Sequence, residues 1–91
     1  MNRTSIVSKA KKIPAKELEG EMVLLNLENG DYVALNEPGM EIWKLLEGEK
    51  SVEELARELA KVYSIPATTA LKDALTFLGN LQSKGFIEVS S

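Results

Sequence analysis

The chain has neither cysteine nor histidine among its 91 residues. Without cysteine there is no disulfide, no thiolate nucleophile and no sulfur metal ligand. Without histidine the commonest general base and the commonest metal ligand are missing as well. Serines and threonines remain, but no base is spaced to activate one. The glycines are scattered, with no loop that could cradle a phosphate. Carboxylates are plentiful, yet they fall on solvent-facing helical positions and no two form an acid/base couple. The expectation is a protein that is not itself an enzyme and carries no cofactor and no metal. No apolar run approaches the ~20 residues of a membrane span, and no apolar segment near the start precedes a cleavage site. Membranes are therefore not expected partners, and the cytoplasm is the expected location. The length suits one domain with one core, with residues 1–4 expected to fray.

Charge is unevenly spread. Arg3, Lys9, Lys11, Lys12 and Lys16 place five cations and no anion in the first sixteen residues, leaving six basic and fourteen acidic residues beyond them. Such an arm suits an acidic peptide or nucleic acid. It equally suits an edge strand whose lysines oppose aggregation.

The most informative stretch runs from Leu24 to Leu46. Asn29-Gly30 supplies two residues that tolerate positive φ, as a two-residue type I′ hairpin needs. That turn would pair Leu27 with Tyr32, Asn26 with Val33, Leu25 with Ala34 and Leu24 with Leu35. One face would carry Leu25, Leu27, Tyr32 and Ala34, and the other Leu24, Asn26, Val33 and Leu35. Both are largely apolar, so both are expected to be covered. Pro38 then suits the first turn of a helix capped by Asn36 or Glu37. Met40, Trp43 and Leu46 fall on its inner side, flanked by Ile42 and Leu45, and Gly48 is expected to end it. A lone tryptophan on such a stripe reads as core rather than as an interface anchor.

An earlier strand is expected within residues 5–13, at a sheet edge and stopped by Pro14, followed by a polar connection over 15–20. Ser51-Val52-Glu53-Glu54 matches a capping box and opens a second helix reaching Tyr63, with Val52, Leu55, Ala56, Leu59, Val62 and Tyr63 on one stripe. A third helix starts near Pro66 or Ala67 and ends at Lys84-Gly85. It carries two apolar lines, Leu71–Leu75–Leu78 and Ala70–Ala74–Phe77–Leu81. One line suffices for a surface helix, so this one is either buried on both sides or borders a groove. Gly79 inside it costs about 1 kcal/mol relative to alanine. Phe86, Ile87 and Val89 suggest a short strand-like tail. The resulting class is α+β: a three-stranded antiparallel sheet and three helices, with the last two helices arranged as in a winged helix-turn-helix.

The ordered set Leu24-Leu25, Gly30-Asp31-Tyr32-Val33-Ala34-Leu35-Asn36, Gly39 and Ile42-Trp43 resembles the PqqD-like family, and the likeness extends over nearly the whole chain. Members of that family are leader-peptide recognition elements in the biosynthesis of ribosomally synthesised, post-translationally modified peptides. The resemblance implies the same winged-helix-like fold. It also implies that a leader lies as an added strand between the third strand and the third helix. The partner enzyme would be a radical SAM enzyme, a leader peptidase with a lasso cyclase, or a cyclodehydratase. Asp73 resembles an acidic position that hydrogen-bonds within the fold in relatives.

An exposed edge gives backbone pairing, and a neighbouring helix gives side-chain pockets. The candidate peptide-binding residues are accordingly Asp31, Tyr32, Val33, Ala34 and Leu35 on the strand, with Thr68, Leu71, Lys72, Leu75, Thr76 and Leu78 on the helix. Val33→Pro is the natural probe if the Val33 N–H points outward. The competing reading is a winged helix on DNA, with Thr68, Thr69 and Lys72 at the start of a recognition helix. Only Lys72 and Lys84 are cationic on that helix, which is little for phosphate contact. A third reading is a general protein-interaction domain.

Overall fold

A computed structural model describes residues 1–90. Six strands and three helices follow in the order β1 (Ile6–Lys9), β2 (Ala15–Leu18), β3 (Glu21–Leu25), β4 (Tyr32–Leu35), α1 (Glu37–Leu45), β5 (Lys50–Ser51), α2 (Val52–Tyr63), α3 (Ala67–Ser83) and β6 (Ile87–Ser90). They form two small antiparallel sheets, β5-β1-β6 and β2-β3-β4.

The segment 5–13 is not one strand of the hairpin sheet. Its first half, β1, pairs with β6 and β5 and ties the two ends of the chain together. The third strand of the hairpin sheet is β2, inside the stretch expected to be a polar connection. Its four residues are all exposed, so apolar alternation could not mark it. Backbone pairing to β3 specifies it instead. Residues 1–4, expected to fray, close a turn: the Asn2 carboxamide oxygen accepts from the Thr4 N–H and hydroxyl, and the Ser5 N–H donates to the Asn2 carbonyl.

The helices begin where local chemistry requires. Asn36 is the N-cap of α1, with proline in the first turn; the helix ends at Leu45, three residues before Gly48. Ser51 caps α2 in a complete capping box, its hydroxyl accepting from the Glu54 N–H at 3.1 Å. Ser64, in the left-handed conformation, ends α2. Gly85, at φ 79°, follows α3 and turns the chain into β6.

Leu24 and Leu35 from the hairpin sheet meet Trp43 of α1, Leu46 just after it, Leu55 and Leu59 of α2, Leu78 and Leu81 of α3, and Phe86 in one core. Trp43 is a core residue, with the Lys9 ammonium 4.8 Å from its ring centroid. Val62, expected on the buried stripe of α2, is exposed. Within α3 the buried line is Ala70, Ala74, Leu78 and Leu81, while Leu71, Leu75 and Phe77 are half-buried.

A Cβ on Gly79 would meet nothing within 4 Å. Its role is therefore not close packing. Gly79→Ala should stabilise the protein by about 0.5–1 kcal/mol through helix propensity alone. Thermal unfolding followed by circular dichroism checks this, and a lower midpoint would show that the glycine serves a contact.

Candidate functional site

The β3–β4 connection sets the geometry of the site. Asn29 does not take positive φ; within the turn only Gly30 does, at 79°. A type I′ turn, which needs both, is thereby excluded. The Asn26 N–H donates to the Asp31 carbonyl at 2.8 Å, and residues 27–30 form a wider loop. The Asn26 carboxamide organises that loop, its oxygen accepting from the Glu28 and Asn29 N–H groups at 2.9 and 3.4 Å. Its amide nitrogen donates to the Gly85 carbonyl at 2.9 Å, and Asn29 donates to the Lys84 carbonyl at 3.2 Å. The buried Asn26 thus fastens the loop to the end of α3.

The register is two residues away from the expected one: Leu25 opposes Tyr32, Leu24 opposes Val33, Val23 opposes Ala34 and Met22 opposes Leu35. A shift of two keeps every side chain on its expected face. Only one face is covered, however. Met22, Leu24, Asn26 and Leu35 are buried, whereas Val23, Leu25, Leu27, Tyr32 and Ala34 are exposed.

The register also fixes which backbone groups are free. Leu25 and Leu27 donate toward the β2 side, to the Pro14 and Lys12 carbonyls. Asn26 donates toward β4. In an antiparallel ladder these directions alternate. Asp31, Val33 and Leu35 therefore bond inward to β3, and Tyr32 and Ala34 aim their N–H and C=O groups away from the sheet. β4 is one of the two edges of the sheet, β2 being the other. Val33 is consequently not the position whose N–H a proline would remove from the edge; Ala34 is.

A groove of about 460 Å³ runs beside that edge. Val33, Ala34, Leu35 and Asn36 form one wall, and Phe77, Asn80, Leu81 and Ser83 of α3, with Lys84 just after it, form the other. The helix runs antiparallel to β4: Phe77 lies by Leu35 and Gly39, and Lys84 lies by Asn29 at the loop. Beyond Asn36 and Phe77 the groove opens into an apolar hollow of about 380 Å³, walled by Pro38, Gly39, Ile42, Leu59, Tyr63 and Ile65. Glycine at position 39 leaves room for the Phe77 ring, which a Cβ there would approach to 2.8 Å. Burial first, then the Glu37 and Glu41 carboxylates, raise the Tyr63 phenol above its ordinary pKa. The phenol therefore stays a neutral donor, 3.4 Å from the Glu37 carbonyl.

Of the expected site residues, Val33, Ala34 and Leu35 line the groove, and Asp31 and Tyr32 sit exposed at the start of the strand. The α3 residues distribute differently. Thr68 and Leu71 line a separate depression with Arg3, Glu53 and Arg57. Leu78 is fully buried, Leu75 packs against the core, and Lys72 and Thr76 are exposed away from the groove lining. Phe77, Asn80 and Lys84, which are not among the expected site residues, line the groove. The signal for Phe77 was present, because it belongs to the second apolar line of the helix. Asp73 borders the apolar hollow and makes no side-chain hydrogen bond among the described residues. No cluster of acidic residues able to hold a metal ion occurs among the described residues, and no helix is long and apolar enough to cross a membrane.

A strand meander with an open edge at β4, a helix running alongside that edge and a groove between them define the class: an α+β domain with a groove beside a sheet edge. The chain belongs to the PqqD family, whose model, described as coenzyme PQQ synthesis protein D, matches residues 21–87. Two solved structures are similar throughout. One is TbiB1 in complex with the TbiA(beta) leader peptide, at 32% identity and a TM-score of 0.80, covering 89% of this chain and 94% of that one. Another is a lasso peptide synthetase B1 complexed with the leader peptide, at 26% identity and 0.75, covering 90% and 96%. The PqqD portion of Methylobacterium extorquens PqqCD, a stand-alone recognition element, shares the fold at 22% identity and 0.76, covering 91% and 88%. No curated protein sequence matches the chain.

Proposed function

We propose that this chain binds the leader segment of a ribosomally synthesised precursor peptide and holds it for a separate enzyme. The leader adds as a strand to β4, pairing with the outward groups of Tyr32 and Ala34, while Phe77, Asn80 and Lys84 receive its inward side chains. The observation that carries this reading is the free edge of β4 beside a groove walled by α3. The likeness to two leader-peptide complexes supports it. Residues 1–91 act as one recognition unit without catalysis of their own, in the cytoplasm. The enzyme served is a radical SAM enzyme, a leader peptidase with its cyclase, or a cyclodehydratase.

The test is a titration of the 15N-labelled protein with synthetic leaders of the short precursor-like peptides encoded in the same genome. The amides of Tyr32, Ala34, Asn80 and Lys84 should shift most. Shifts concentrated on Arg3, Thr68 and Leu71 would instead move the site to the other end of α3.

A further inference from the structure

At the end of β4 the groove passes between Asn36 and Phe77 into the apolar hollow of about 380 Å³, and these two residues line both spaces. That volume is at the small end of the roughly 300–1,000 Å³ of ligand pockets and suits one long side chain rather than a strand. Two of its walls, Tyr63 and Phe77, are aromatic. Charge sets the hollow apart from an ordinary apolar pocket. Asp73 lines it. Glu37 and Glu41, one turn apart on α1, lie close enough to the Tyr63 phenol to reinforce the effect of burial on its pKa. Among the described residues the ion pairs join Lys44 to Glu17 and Lys50 to Glu58, so none of these three carboxylates is paired. No lysine or arginine lines the hollow. The N-terminus of α1 adds a partial positive charge there, which Glu37 in its own first turn answers. Glu41 and Asp73 are left without a counter-charge.

We propose that the hollow receives a basic side chain of the leader, arginine before lysine, and thereby sets a charge requirement on the precursors this chain accepts. The proposal rests on the leader-binding reading above. A leader strand on β4 reaches Asn36 at the end of the edge, and the inward side chain it lays there enters the hollow. An apolar side chain would fill the space, but it would strip water from the two carboxylates with nothing in return. An arginine buries its aliphatic stem against Ile42, Leu59 and Ile65 and keeps its charged end at the mouth. Its planar guanidinium stacks on an aromatic ring and pairs with a carboxylate through two parallel hydrogen bonds, which a lysine ammonium does not do.

The experiment titrates the full chain by calorimetry with synthetic leaders of the short precursor-like peptides encoded in the same genome, and takes the tightest as the parent leader. Replacing its basic residues one at a time by leucine should reveal one position where affinity falls about tenfold, as loss of a charge-assisted hydrogen bond does. Lysine in place of arginine there should cost less. The Glu41→Gln/Asp73→Asn variant should bind the parent leader more weakly by a similar factor, with a flatter salt dependence. It should also bind the leucine-substituted leader as well as the parent leader, a loss of discrimination that a merely structural role for the carboxylates would not produce. Circular dichroism confirms folding. Asp73→Asn alone, at an exposed carboxylate with no side-chain hydrogen bond among the described residues, serves if the double variant misfolds. If every leucine-substituted leader binds as the parent leader does, or if the folded carboxylate variants discriminate arginine from leucine undiminished, the charge requirement is overturned and leader recognition stands. If no leader binds the unmodified chain, the recognition reading itself fails.

Discussion

Ala34→Pro should cut leader affinity at least tenfold while leaving the domain folded. The Ala34 N–H points away from β3, so its loss removes no ladder bond within the protein. It removes one of the two N–H groups that the edge offers to an added strand, a bond worth roughly 0.5–1.5 kcal/mol. The pyrrolidine ring also projects to where the added strand would lie, and proline at a sheet edge is otherwise tolerated. A tenfold change corresponds to about 1.4 kcal/mol, so the two effects together exceed it. Val33→Pro should behave oppositely. Its N–H belongs to the bonded pair with Leu24, whose carbonyl would be left unpaired beside the core, at a cost of about 1–3 kcal/mol in stability. Calorimetric titration with leader, paired with urea unfolding, separates the two. Equal leader affinity for Ala34→Pro and the parent would show that the edge is not the binding element.

Asn26→Ala should destabilise the fold by about 2–3 kcal/mol, the largest stability loss expected from a single polar truncation here. Asn26 is 4% exposed, and its carboxamide makes three hydrogen bonds, one of them across 59 residues to Gly85. Truncation leaves part-buried backbone groups of Glu28, Asn29 and Gly85 unpaired, at about 1–3 kcal/mol each where water cannot reach them. For a domain of this size the midpoint should fall by on the order of 10 °C. Leader affinity should weaken as well, because the same side chain sets the start of β4 and the end of α3. Differential scanning calorimetry gives the first effect. A midpoint within 2 °C or so of the parent would mean that water replaces the carboxamide fully.

The helices were legible because their signals are local. The capping box at Ser51, the proline in the first turn of α1 and the glycine after α3 each specify a boundary through atoms only a few residues away. The faces of β3 and β4 were legible as well, since alternation assigns every side chain for any register that differs by an even number of residues. The α3 wall of the groove was less so. Leu71 and Phe77 belong to equally apolar lines, and only the packing of α3, chiefly against α2, turned Phe77 toward the groove and Leu71 toward Arg3.

The sequence by itself determined the α+β class, the three helices, the parity of the hairpin and the absence of histidine and cysteine chemistry. The tertiary structure decided the register, the identity of the third strand of the hairpin sheet and the side of that sheet left open. The reason is physical. Register depended on Asn26 reaching Gly85, and β2 is specified by backbone bonds that carry no side-chain pattern. The sheet has two apolar faces, and the helices, with one core to close, cover only the face that carries Leu24 and Leu35.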